Sequence, residues 1–437
     1  MQNSLDYSAE FKALAPSLSG SHLAWLNEAR ETAMQRFSRV GFPSPREEEW
    51  RYTNVAPIER KLFKPVTKIP DSVDEAHLKK YFLEDACTLV LIDGFYSDAL
   101  SNCPEISGVI VSSMANALVK WPEKVESAFG QTLRKENQGF IDFNTAFFSD
   151  GIFIEIDRNV VLEQPIQLLN YSTREDALVT TRSLITLGQG AQAEVIETSV
   201  SADDIGYLTA PVVEVIVKEN AHLDMTKLQL ESPKVFHFGG VYVQQSDYGS
   251  FRHQNYAFGG LLVRNEIHCD LGQASECCLN GLFLATKRQH VDNHTHINHL
   301  KPHAISREMY KGILDGRARG VFRGRVVVHS DAQKTDSEMG NRNLLLSDNA
   351  EIDTKPQLEI YADDVKCAHG VTVGQLQDES IFYLRSRGID ETEARNILTF
   401  AFANEMVDKL HNRAIREILL DALFDKFPQS DVHKEWL

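Results

Sequence analysis

From about residue 150 to residue 375 the chain repeats one short unit. A run of alternating apolar and polar residues is followed by a small or polar turn that often ends in alanine. The alternation is clear in Ile152, Ile154 and Ile156, then Val160 and Leu162, then Ile166 and Leu168. It returns in Ser183 to Leu187, Glu194 to Thr198, Val212 to Val217, Val241 to Gln245, Leu261 to Ile267 and Arg325 to Val328. Period two is the signature of half-buried strands. The turns are Gly190-Ala191, Asn220-Ala221, Tyr248-Gly249-Ser250, Gly272-Gln273-Ala274, Arg317-Ala318 and Asn349-Ala350, the first four at intervals of 30, 28 and 25 residues. A unit of that size cannot bury its apolar face alone, so units must stack into one continuous core. The pattern therefore predicts a mainly β chain with a β-solenoid core. An antiparallel sandwich, with a turn every 8–12 residues or so, is the competing architecture. The likeness of the units to one another favours the solenoid.

The flanks differ. Residues 8–40 carry apolar positions three to four apart, a helical spacing, which stops at Gly41-Phe42-Pro43-Ser44-Pro45. The following Arg46 to Thr53 is polar except for Trp50 and Tyr52, an aromatic pair expected to anchor a loop on the body. Thr88 to Gly94 and Gly108 to Ser112 read as short buried strands, and Ala115 to Phe129 as a helix. Glu391 to Phe427 is again helical, a tail that either caps the last coil or docks a partner. The expected division is 1–145 helical and mixed, 146–375 β core, 376–437 helical.

Several functions are excluded or disfavoured. The formal net charge of −17 argues against nucleic acid as a main partner, because phosphate binding needs a basic face. No apolar run approaches the roughly 20 residues of a membrane helix, and residues 1–10 carry no signal-peptide pattern, so a cytoplasmic location is expected. Phosphate-loop, dinucleotide and nucleophile-elbow motifs are all missing. Six irregularly spaced cysteines, none in C-x-x-C, are expected to be reduced thiols.

Two segments can carry chemistry. In Gln289 to His299, followed by His303, the residues His290, Asp292, His294 and His296 would share one face of a strand. Imidazoles beside a carboxylate suit a divalent metal; equally, they can hydrogen-bond neighbouring coils. In Tyr361 to Gly370, an extended chain would point Cys367, His369 and Asp363 the same way. Thiolate with imidazole suits iron or zinc. Two such ligands are fewer than a closed tetrahedral site needs, so another segment or chain would have to complete it. Otherwise Cys367 is a small core residue.

The run Thr354 to Gly374, containing Asp363-Asp364-Val365-Lys366-Cys367-Ala368-His369-Gly370, resembles the signature of the SufD family of the SUF iron–sulfur assembly system. Ile381 to Ile389, Pro45 to Thr53, Asn144 to Gly151 and Gly281 to Leu284 resemble it too, in the family's order. The resemblance implies a right-handed parallel β-helix between helical ends. It implies a non-ATPase scaffold that pairs with SufB through the β-helices and with two copies of the SufC ATPase through the C-terminal helices, or sometimes with itself. It implies that His369 is a ligand for iron or a nascent cluster at the SufB interface, with Cys367 beside it as ligand or structural residue. His290, Asp292 and His299 are weaker candidates for handling iron. Iron or the nascent cluster would be transient and shared with SufB, not a resident cofactor. A polysaccharide-active β-helix enzyme and a stand-alone histidine-rich metalloprotein are the alternatives.

Overall fold

The computed structural model describes residues 7–133, 139–410 and 412–426. Residues 1–6 and Phe427, which the helical readings of the two ends approached or included, lie outside them. The middle of the chain is a parallel β-solenoid of about eight coils. Each coil contributes one strand to each of two sheets. The last strands of one sheet are Leu262–Leu271, His290–His299, Arg319–Val328 and Glu351–Ile360. Those of the other are Glu276–Ala285, Ile305–Leu314, Asp336–Leu345 and Lys366–Gly374.

Pairing is parallel and in constant register, so residues stack in columns along the axis. Val215, Val243, Cys269, Ile297 and Val326 form one such column, all buried. This is how alternating strands that are weak alone build a continuous apolar core.

The corner that leads from the first sheet to the second is fixed by backbone conformation. Asn159, Gly190, Asn220, Tyr248, Ala274, His303 and Lys334 all have positive φ. Each of their N–H groups donates to a carbonyl of the next coil, for example Asn220 to Asp247 at 3.3 Å and Tyr248 to Gln273 at 2.8 Å. The next residue is usually small and turned into the core: Ala191, Ala221, Ser275, Ala304 and Thr335 are buried. Arg317-Ala318 and Asn349-Ala350 lie instead at the opposite corner, where strands return to the first sheet. The turns read from the sequence thus mix two corners, the first four at one and the last two at the other. His303, counted with the histidine row, is a corner residue.

The N-terminal region closes the first coil. Cys87–Ile92 joins the second sheet beside Ile166–Ser172, so the solenoid takes a strand from before residue 146. The helix expected over 115–129 is broken at Trp121-Pro122 into Met114–Lys120 and Pro122–Ala128. Proline cannot donate the N–H that would continue the first helix. The expectation of six free thiols also fails: Cys87 and Cys103 form a disulfide. Thr88 and Asn102 exchange two N–H···O bonds of 2.8 Å, and this antiparallel bridge brings the flanking cysteines together.

The C-terminal helices Glu391–Val407 and Arg413–Lys426 lie along the outer face of the second sheet. Phe400, Met406, Leu419 and Leu423 pack there with Leu228, Tyr256, Leu282 and Ile313. Tyr256 donates to the Met406 carbonyl at 2.8 Å, and Lys311 Nζ to the Phe402 carbonyl at 2.9 Å. Among the described residues the tail therefore covers a flank and leaves the last coil uncapped.

Candidate functional site

The last coil consists of Glu351–Ile360 and Lys366–Gly374, and each is the terminal strand of its sheet. Their outer edges carry backbone N–H and C=O groups that continue the ladder to a further strand. Pro356 sits in the first of them, a residue tolerated at sheet edges because its missing N–H is not needed there. Among mostly polar side chains at this end, two large apolar ones are open: Tyr361 is 65% exposed and Val373 47%. Beyond them, helix Asp378–Ser386 presents Phe382 and Tyr383, 73% and 59% exposed.

Cys367 and His369 belong to this end. Register places Cys367 beside Ser337, which follows Ser306 and Cys277 in the same column. His369 stands beside Met339, after Glu308 and Leu279. In the earlier coils those columns point into the core, and all six of these predecessors are buried. In the last coil no described residue continues the columns above them, and His369 is exposed and Cys367 half-buried. The alternation thus does place Cys367 and His369 on one face. Asp363 falls in the bend before the strand and does not share it. Burial pushes the Cys367 thiol up, the Ser337 backbone opposes it, and the Asp336 carboxylate adds a smaller upward push. Cys367 is therefore a thiol at neutral pH, and becomes a thiolate ligand when a cation displaces its proton.

The histidine row is held differently. His290, Asp292 and His294 lie on the outer face of the first sheet, under the Trp50 loop. Thr53 Oγ1 donates to Asp292 Oδ2 at 2.5 Å and lies 3.0 Å from His290 Nε2. Arg264, almost wholly buried, donates to Asp292 at 2.9 Å, to Glu266 at 2.7 Å and to the Glu49 carbonyl at 2.9 Å. Its guanidinium lies 3.6 Å from the centre of the Trp50 ring, a cation–π contact. Arg264 also reaches His294 Nδ1 at 3.1 Å. Arginine only donates, so Nδ1 accepts and the proton sits on Nε2, 2.9 Å from Asp292 Oδ1. Burial first, then Arg264, hold His294 below its usual range. Burial works against the charge on Asp292, but His294, Arg264 and His290 outweigh it and keep the carboxyl low.

His299 is on the other face. It lies inside the solenoid, 2.9 Å from Ser306 Oγ, and burial lowers it to about 4. His290 and Asp292 therefore converge, whereas His299 does not join them. Among the described residues, no three His, Cys, Asp or Glu side chains are placed to hold a metal ion. The Trp50 anchor was legible in the sequence; Tyr52, 39% exposed, is not part of it. Thr53 and Arg264, which complete the docking, were not identified. Arg264 is a charged residue at an outward position of a strand, a pattern that ordinarily means solvent.

Residues 170–402 match the family model for the SUF system FeS cluster assembly SufBD core domain, and residues 1–168 that for the SufBD protein N-terminal region. The chain belongs to the SufBD family. It is 33% identical to the iron–sulfur cluster assembly protein SufD of Escherichia coli, covering 90% of this chain and 92% of that protein. It is 31% identical to a SufBD family protein of Synechocystis, over 90% and 89%. With the chloroplastic protein ABCI7 of Arabidopsis thaliana it shares 28% identity over 93% and 87%. It is thus a SufD-like iron–sulfur cluster assembly protein of the SufBD family. Among the described residues, no helix is long and apolar enough to cross a membrane.

Proposed function

We propose that this SufBD protein is a non-ATPase scaffold subunit of a cytoplasmic SUF assembly complex. Its open solenoid end pairs with SufB, and its C-terminal helical region engages the SufC ATPase. The observation that carries this reading is the uncapped last coil. Two edge strands end there, and Cys367 and His369 stand at the mouth of the core as an incomplete ligand pair. A second solenoid docked edge to edge would extend both sheets and bring further ligands over these two. Iron or the nascent cluster is then the cargo of the interface, and His369 is its ligand from this side. Cys367 is the second donor once deprotonated. His290 and Asp292 are committed to docking the Trp50 loop, and a part for them in handling iron would require that loop to leave.

The same open edge would accept a second copy of this chain when SufB is absent. Helix Asp378–Ser386 follows the His369 strand after three residues and exposes Phe382 and Tyr383. A nucleotide-driven movement of the ATPase on this helix would act directly on the strand that carries Cys367 and His369. The test is co-expression with SufB and SufC. The reading expects one complex, in which nucleotide binding raises the alkylation rate of Cys367. Failure to associate with either partner overturns it; a nucleotide-independent Cys367 overturns the opening step.

A further inference from the structure

The inside of the solenoid is not apolar throughout. In its middle coils, His253, Asn255, Asn265, Asn293, Thr295 and Glu308 occupy inward columns, and all are buried. They form a seam that runs across both sheets, with Leu279 between His253 and Glu308 in their column. Asn255 donates to Asn293 at 3.0 Å. His253 shares its strand face with Asn255, and Thr295 with Asn293, because each pair is two residues apart. Asn265 is the register neighbour of Asn293, and Thr295 lies next to Glu308.

Five polar side-chain atoms here have no hydrogen-bond partner, namely both ring nitrogens of His253, Asn255 Oδ1, Asn265 Nδ2 and Asn293 Nδ2, and the Glu308 carboxyl faces only the Thr295 hydroxyl. Buried polar groups in folded proteins are nearly always satisfied, and one left unsatisfied is costly. Several along one seam call for a ligand.

The chemistry of the set selects that ligand. Two amide nitrogens can only donate, and one amide oxygen can only accept. His253 and Thr295 can each do both. A cation would face the donors, and no three acidic, histidine or cysteine side chains converge on one point among the described residues. An anion would need an uncompensated positive charge, but Lys227, the nearest cation, donates to His237 and Asn265 at 2.9 Å each and has the Glu197 and Glu231 carboxylates beside it. Water donates and accepts equally well. The seam is also closed. Tyr310 and Met339 are buried between it and the open end, and Tyr310 lies across Gly281, where a Cβ would come within 2.1 Å of its ring.

We infer that this seam is a sealed water-binding site, in which ordered water molecules bridge His253, Asn255, Asn265, Asn293, Thr295 and Glu308. Such waters make about three hydrogen bonds each and leave only when the fold opens. Magnetic relaxation dispersion of oxygen-17 water counts long-lived internal waters in the intact chain. The wild type is expected to show more of them than Thr295→Val and Asn293→Leu, each of which removes polar atoms from the seam. Equal dispersion amplitudes in all three proteins would overturn the site. If neither variant folds, a high-resolution crystal structure of the wild type decides. Density peaks within hydrogen-bond distance of Glu308 and His253 support the site. A dry seam, with these side chains bonded to one another, contradicts it.

Discussion

Cys367 and His369 carry the alternation of a core strand into a coil that has no successor. Their reactivity follows from position. Cys367 is the only one of the free cysteines at the open end; Cys269 and Cys277 are buried and Cys278 lies on a strand of an inner coil. In denaturant without reductant, a thiol titration should count four thiols, rising to six after reduction of Cys87–Cys103. A count of six from the start would show that the disulfide does not form. Inside the solenoid, burial raises the Glu308 carboxyl to about 7, while Thr295 lowers it slightly. A folded-state value raised above the unfolded one means that stability is fully present below roughly pH 4.3 and is lost as pH rises through about 7. His253, which burial lowers to about 3, acts in the opposite sense: its stability is present above roughly pH 6.5 and lost as pH falls. The two oppose each other in the wild type. Glu308→Gln should therefore gain stability relative to wild type between pH 4.5 and 7.5, by on the order of 3 kcal/mol. Urea midpoints across that range measure it; parallel profiles would show that Glu308 does not titrate in the fold.

At the scale of elements, the strands were legible because period two is imposed by the pleat itself. The corners were legible only in part. Alanine marks both corners, and the backbone conformation that tells them apart leaves no single residue type: asparagine, tyrosine, histidine and lysine all adopt positive φ here. The stacked N–H···O ladder selects that conformation and holds residues that would otherwise avoid it, at about 1–2 kcal/mol each. Ala274, with φ of 50°, is the plainest case. Ala274→Gly should be neutral or stabilising by up to about 1 kcal/mol, despite the usual entropic cost of glycine. A clear fall in the unfolding midpoint would show that the corner is not strained. The C-terminal helices are held by a polar clamp as well as by apolar packing. Lys311, whose side chain is 2% exposed, reaches Glu405 and the Phe402 carbonyl, and Arg342 also reaches Glu405. Lys311→Ala should speed amide exchange in 391–426 while leaving the inner coils protected. Uniform exchange across both would mean that helices and coils open as one unit. The sequence did not show which flank the tail covers, because an amphipathic helix specifies an apolar partner and not its location.

At the scale of the whole molecule, the solenoid makes the two ends unlike. The first coil is closed by the N-terminal region, and among the described residues the last is left open with Cys367 and His369 at its mouth. The repeat in the sequence was sufficient to read the solenoid. The motif around Cys367 and His369 could be read as half a site, because both its residue types and its shortage of ligands are visible in one dimension. The docking of Trp50 and Thr53 on Arg264 and Asp292 could not, since it joins segments more than 200 residues apart. The central claim is that the open end supplies a ligand to an interfacial assembly site. It is tested most directly by co-expressing the chain with SufB and SufC and measuring iron and acid-labile sulfide in the purified complex, wild type against His369→Ala. An intact complex that has lost most of its iron and sulfide is the expected result. An intact complex with unchanged iron and sulfide would contradict it and leave this chain a structural partner alone.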